Sequence, residues 1–204
     1  MPRRSSDWTV RPLEPGDASG VAELMDASVG QGFYEPDDTD QTSSFVCSCA
    51  GQIVGAVVVT IGPYATVRDF YREETPLTEW GVEPEPEMVG RVREIAVLPD
   101  YRRTGLATLL LASSEAAVRA HGVEVFVANG WVRQDTGESP GGFLLASCGY
   151  RAVGEILRFF ELVGAAGGVF CPACHQSPCV CAARAYIKDC RLKPGATARS
   201  RSQS

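Results

Sequence analysis

Glu94-Ile95-Ala96-Val97-Leu98-Pro99-Asp100-Tyr101-Arg102-Arg103-Thr104-Gly105-Leu106-Ala107 is the stretch on which the reading of this chain turns. An apolar run passes into a turn containing proline. Two arginines, a threonine and a glycine then lead into a long amphipathic pattern. That layout gathers the unpaired backbone N–H groups and the positive dipole end of a helix behind a basic loop, a combination that binds phosphate. Neither the P-loop lysine pattern nor Gly-x-Gly-x-x-Gly is present. The loop is therefore built for phosphates of another kind.

Composition sets the outer limits. The chain has 204 residues, enough for one domain with appendages and for a sizeable core that needs no staples. A net charge of -6 argues against a general nucleic-acid binder. No apolar run approaches the ~20 residues that span a bilayer, so no membrane partner is expected. The basic start, Met1-Pro2-Arg3-Arg4-Ser5-Ser6, is followed by no apolar stretch, so the expected location is cytoplasmic. Residues 1–6 and the basic, Ser-rich residues 191–204 read as disordered ends around a domain at 7–190.

Along the domain, Trp8-Thr9-Val10-Arg11 reads as a strand, and Pro15-Gly16 breaks it. Asp17 is placed to cap a helix whose buried face carries Val21, Leu24 and Met25. Residues 45–49 and 53–60 are apolar strands joined through Ala50-Gly51-Gln52, a hairpin signal. Residues 62–90 form a Pro- and Glu-rich insertion with Tyr64, Phe70, Tyr71 and Trp80 as candidate anchors. It reads either as a solvated acidic loop or as a wall that attracts cations. A fourth strand is expected over 91–98. The helix over 105–120 would place Leu106, Leu109, Leu110, Ser113 and Ala117 on one face, with Gly122 closing it. Residues 123–127, 151–160 and 183–190 read as strands, and 140–148 as a helix ending at Gly149-Tyr150.

Arg102-x-x-Gly105-x-Ala107 after Val97-x-Pro99 resembles the pyrophosphate loop of the GNAT superfamily of acetyl-CoA-dependent N-acetyltransferases. The strand–helix–hairpin order at the N-terminus and the Gly149-Tyr150 step after a helix resemble that family at the same places. The resemblance covers about residues 8–190. It implies an α/β fold with a central mixed, mostly antiparallel sheet flanked by helices. It also implies acetyl-CoA as co-substrate and a primary amine, small molecule or protein, as acceptor, and it leaves a homodimer open. By resemblance, Arg102, Arg103, Thr104, Gly105, Leu106, Ala107 and Thr108 would cradle the pyrophosphate. Backbone groups of Ile95, Ala96 and Val97 would pair with the pantetheine arm, one N–H polarising the thioester carbonyl.

A lysine-type amine is protonated at neutral pH, and removing that proton costs about 4–5 kcal/mol, so a base is useful. Glu94 is the candidate. The alternative is an exposed strand glutamate paired with Arg93 or Arg151. The tyrosine that often protonates the leaving thiolate in the family would fall at Leu145, so the usual acid is missing; Ser147, Cys148 and Tyr150 are neighbouring substitutes. Trp131 is either an acceptor wall or packing.

Cys171-x-x-Cys174 followed by Cys179-x-Cys181 brings four thiolates within reach of one tetrahedral ion. Soft sulfur ligands favour zinc in a closed, structural site resembling a zinc knuckle between the last two strands. An iron–sulfur cluster, plain thiols, or His175 replacing one cysteine are the other readings. Cys47, Cys49, Cys148 and Cys190 read as small buried hydrophobes. Two functions follow: an N-acetyltransferase acting by direct attack in a ternary complex, or a GNAT-like module that holds coenzyme A or a partner through its zinc hairpin.

Overall fold

The computed structural model describes residues 8–28, 30, 42–65, 67, 81–133, 136–159, 174–176 and 179–192. Within them β1 (Trp8–Pro12), β2 (Thr42–Cys49), β3 (Gln52–Pro63), β4 (Met88–Val97), β5 (Val125–Val132), β6 (Arg151–Ile156) and β7 (Ala182–Asp189) form one sheet. Its order is β1-β2-β3-β4-β5-β7-β6. The β4–β5 pair is parallel and the others are antiparallel. Helices α1 (Ala18–Ser28), α2 (Leu106–Arg119) and α3 (Pro140–Ser147) cover it. This is the mixed α/β architecture expected from the sequence.

The sheet separates two apolar layers. On one face Val46, Ala56, Val58 and Ala96 pack against Val21, Leu24 and Met25 of α1. On the other, Val57, Val59, Val97 and Phe126 pack against Leu106, Leu110 and Leu111 of α2 and Leu145 of α3. Ala50 and Gly51 both take left-handed backbone, φ 51° and 81°, the conformation of a tight hairpin turn between β2 and β3.

Several expectations need correction. Asp17 does not cap α1. It closes a short 3-10 turn, Pro15–Asp17, accepting the Glu14 N–H and pairing with Arg11. The buried face of α2 carries Leu106, Leu110, Leu111, Ser114, Glu115 and Val118, while Leu109 is half exposed. Two polar residues on the buried face rotate the apparent apolar stripe: Ser114 donates to the Ser43 carbonyl, and Glu115 takes part in the contacts described below. β5 runs on through Asn129, Gly130 and Trp131 because β7 pairs with it along its whole length. β3 and β4 extend into the expected insertion as far as Pro63 and from Met88, and Tyr64 is buried as an anchor. Phe70, Tyr71 and Trp80 lie outside the described residues. The expected tail begins with a fixed residue: Arg191 pairs with Asp189 and donates to the Pro84 carbonyl. Residues 1–6 and 193–204 lie outside the described residues, as does Cys171.

Candidate active site

The site forms where the sheet comes apart. β4 and β5 pair only from Val89 opposite Val125 to Val92 opposite Ala128. Beyond that step β4 continues to Val97 alongside β3, and β5 continues to Val132 alongside β7. A wedge therefore opens between the two parallel strands, with Ile95, Ala96 and Val97 on one wall and Asn129, Gly130 and Trp131 on the other. A β-bulge at the Val58–Val59 step of β3 sets Glu94 opposite Val58, so Glu94 lies on the α1 face with Ala96.

The loop after β4 closes the α2 side of the wedge. Pro99–Tyr101 forms a 3-10 turn, and the Tyr101 ring is buried in the core as its anchor. Arg102 is extended, Arg103 is left-handed at φ 61°, and Gly105 is left-handed at φ 87°. Left-handed residues on either side of Thr104 bend the backbone into a concavity of the kind whose N–H groups hold anions. Gly105 caps α2 with no side-chain hydrogen bond, and its carbonyl accepts the Leu109 N–H, the first bond of the helix. The N–H groups of Leu106, Ala107 and Thr108 are thus the orphan donors at a helix start. Arg102 and Arg103 are exposed, and Arg102 Nε donates to the Val97 carbonyl at 3.0 Å, which ties the loop to the end of β4.

Glu94 is the perturbed group of the site. Burial pushes its carboxyl up from 4.5 to about 7, against the opposing pull of Arg93 and Arg91. One carboxyl oxygen lies 3.5 Å from Arg93 Nε, the pairing that the sequence allowed. The other oxygen is buried and has no hydrogen-bond partner. A carboxyl titrating near neutrality, with a lone pair uncommitted beside an open wedge, has the properties of a general base.

Leu145 is buried and apolar. The neighbouring hydroxyls are bonded elsewhere. Ser147 donates to the Leu144 carbonyl, and Cys148 is half-buried at the end of α3. Tyr150 is buried and donates to Glu115 at 2.8 Å; Glu115 also pairs with Lys188, whose ammonium sits 5.5 Å from the Tyr150 ring centre. Burial, then the Glu115 charge, drives the Tyr150 phenol far above its ordinary range. Glu115 lies roughly 14 Å along α2 from its start. This cluster therefore holds α2, β7 and the end of α3 together and stands away from the wedge.

The Sγ atoms of Cys174, Cys179 and Cys181 all lie within 4.8 Å of one another. A tetrahedral zinc with Zn–S of about 2.3 Å sets its sulfurs about 3.8 Å apart. The Cys174–Cys179 pair matches that spacing at 3.8 Å, and the Cys181 sulfur lies beside both. Cys179 and Cys181 are buried and pack with Trp131 of β5. His175 is exposed, at a left-handed φ of 56°. Cys47 and Cys49 are buried, as expected, whereas Cys148 and Cys190 are only half-buried. Sequence reasoning had no means of placing Trp131 against this cluster, since 40 or more residues separate them.

An open parallel pair thus ends at a helix start with orphan N–H donors, and a carboxyl held near neutrality stands on β4. The model of the acetyltransferase (GNAT) family matches residues 21–150, more than half of the chain, and the chain belongs to that family. Solved structures share its fold at low identity. The ribosomal-protein-S18-alanine N-acetyltransferase from Escherichia coli aligns over 94% of this chain and 99% of its own, with TM-score 0.59 and 13% identity. Arabidopsis thaliana NAA60 in complex with acetyl-CoA gives a TM-score of 0.63 at 12% identity, over 91% and 99%. An agmatine N-acetyltransferase gives 0.59 at 15%, over 90% and 99%. No curated protein matches the sequence. Among the described residues no helix is long and apolar enough to cross a membrane.

Proposed function

We propose that this protein transfers an acetyl group from acetyl-CoA to a primary amine by direct attack within a ternary complex. The observation that carries the reading is the wedge between β4 and β5 with the start of α2, free of any side-chain cap, at its mouth. Residues 102–108 hold the pyrophosphate through backbone N–H groups and the helix dipole, and Arg102 and Arg103 add charge. Ile95, Ala96 and Val97 offer backbone groups to the pantetheine arm. Glu94 takes the proton of the attacking amine from the α1 face. Cys171, Cys174, Cys179 and Cys181 hold a structural zinc that ties the loop before β7. When bound, zinc supplies a cross-link rather than a reactive centre. Relatives named for alanine of ribosomal protein S18 and for agmatine support an amine acceptor, protein or small molecule.

Buried Leu145 favours a second reading, a coenzyme A-binding module with little turnover. Thermal unfolding with and without acetyl-CoA tests the cofactor site, and release of coenzyme A thiol against an amine panel separates enzyme from module. A module binds the cofactor without turnover. No stabilisation by acetyl-CoA refutes both readings.

A further inference from the structure

Breaking the thioester leaves a thiolate, and a phenol near the apex of the wedge is not used by the chemistry above. Tyr186 lies on β7 opposite Ala128, the last β5 residue still paired with β4, so it stands one strand from the apex of the wedge. Its ring packs on the α2–α3 face, the side on which the α2 start opens, whereas Glu94 lies on the α1 face. The Tyr186 hydroxyl occupies the space of an absent side chain: a Cβ on Gly142 would lie 2.0 Å from it. Ser139 Oγ crowds the same point at 3.0 Å, and a Cβ on Gly130 would meet it at 2.4 Å. Two glycines thus clear room for two hydroxyls.

The hydrogen bonding of these two groups is incomplete. Arg184, two residues along β7, turns its guanidinium to Glu155, which it meets at 3.0 Å. No side chain among the described residues accepts the Tyr186 O–H proton. Ser139 is only 5% exposed, yet its hydroxyl has no hydrogen-bond partner. Native structures seldom leave buried hydroxyls unmet, and this one lies against Gly130, on the β5 wall of the wedge.

We infer that Tyr186 is the proton donor to the departing sulfur, with Ser139 beside it as a second hydrogen-bond donor. The inference rests on the acetyl-transfer reading above. The amine nitrogen forms the new bond to the carbonyl carbon and loses a proton to Glu94. The C–S bond breaks with its electron pair going to sulfur. Sulfur takes the Tyr186 proton, giving the free thiol of coenzyme A, and the phenolate recovers a proton from water. Base and acid thus act from opposite faces of the sheet, the amine arriving on one and the thiol leaving on the other.

The test is Tyr186→Phe, assayed by coenzyme A release with spermidine, agmatine and an alanyl peptide as acceptors. Expected is a fall in kcat of about 10²-fold with the acetyl-CoA dissociation constant unchanged. The selenoester analogue of acetyl-CoA should erase most of that deficit, because a selenolate leaves without a proton. An unchanged kcat, or an equal deficit with both donors, overturns the inference. Should the variant not fold, wild-type sequence made with 3-fluorotyrosine keeps ring and hydroxyl while acidifying the phenol. Its alkaline limb of kcat should move to lower pH, and an unmoved limb overturns the inference. Wild-type turnover combined with a silent Tyr186→Phe sinks this assignment alone; absence of wild-type turnover with every amine sinks the acetyl-transfer reading with it.

Discussion

Replacing Glu94 by glutamine tests the base through stability as well as rate. The carboxyl has an ordinary value of 4.5 and holds its proton to about 7 in the fold. Between those values only unfolding releases the proton, so the unfolded chain binds fewer protons and stability falls as pH rises. Each unit of separation is worth ~1.4 kcal/mol, so the fully ionised carboxylate costs the folded state on the order of 3 kcal/mol. Glu94→Gln carries no such charge. Its unfolding free energy relative to wild type should therefore climb by about 3 kcal/mol between pH 4.5 and roughly pH 8, and flatten beyond. Urea unfolding of both proteins across that range measures the difference. A constant difference, or one that moves against the variant as pH rises, refutes the argument that burial perturbs this group. The same carboxyl should set the rate. Wild-type kcat should rise through pH ~7 as the base ionises, and Glu94→Gln should lose about 10²–10⁴-fold in kcat while keeping its acetyl-CoA affinity.

Acetyl-CoA at about a hundred times its dissociation constant should add ~2.7 kcal/mol, or roughly 2–4 °C, to wild-type unfolding. Gly105→Asp should abolish that shift in the same thermal scan, since φ 87° strains any side chain there and the added carboxylate repels phosphate. Cys174→Ser should lower metal content and melting temperature together, read by elemental analysis alongside calorimetry; unchanged zinc stoichiometry would remove the metal assignment. Tyr150→Phe deletes a buried bond to a charged group and should cost about 1–3 kcal/mol in urea unfolding, with kcat unmoved.

Local chemistry made part of this protein legible in its sequence. Pro99, Arg102, Arg103 and Gly105 announce a turn, a basic loop and a helix start because their conformational and charge preferences act within a few residues. The Ala50-Gly51 turn and the α1 stripe of Val21, Leu24 and Met25 are local in the same sense. The face of α2 was misread because Ser114 and Glu115 are buried by partners 71 and 73 residues away, Ser43 and Lys188, which no periodicity reveals.

The tertiary structure alone decided the rest. Glu94 is an ordinary strand glutamate until β3 and the bulge bury it. The wedge exists because β4 pairs with β5 over only four residues before the partners diverge. Tyr186 reads from sequence as an alternating strand residue, and only the tertiary packing sets its hydroxyl against Gly142. Sequence patterns encode short-range conformation. Desolvation, register and the convergence of side chains from distant strands depend on distances that arise only once the sheet closes against its helices.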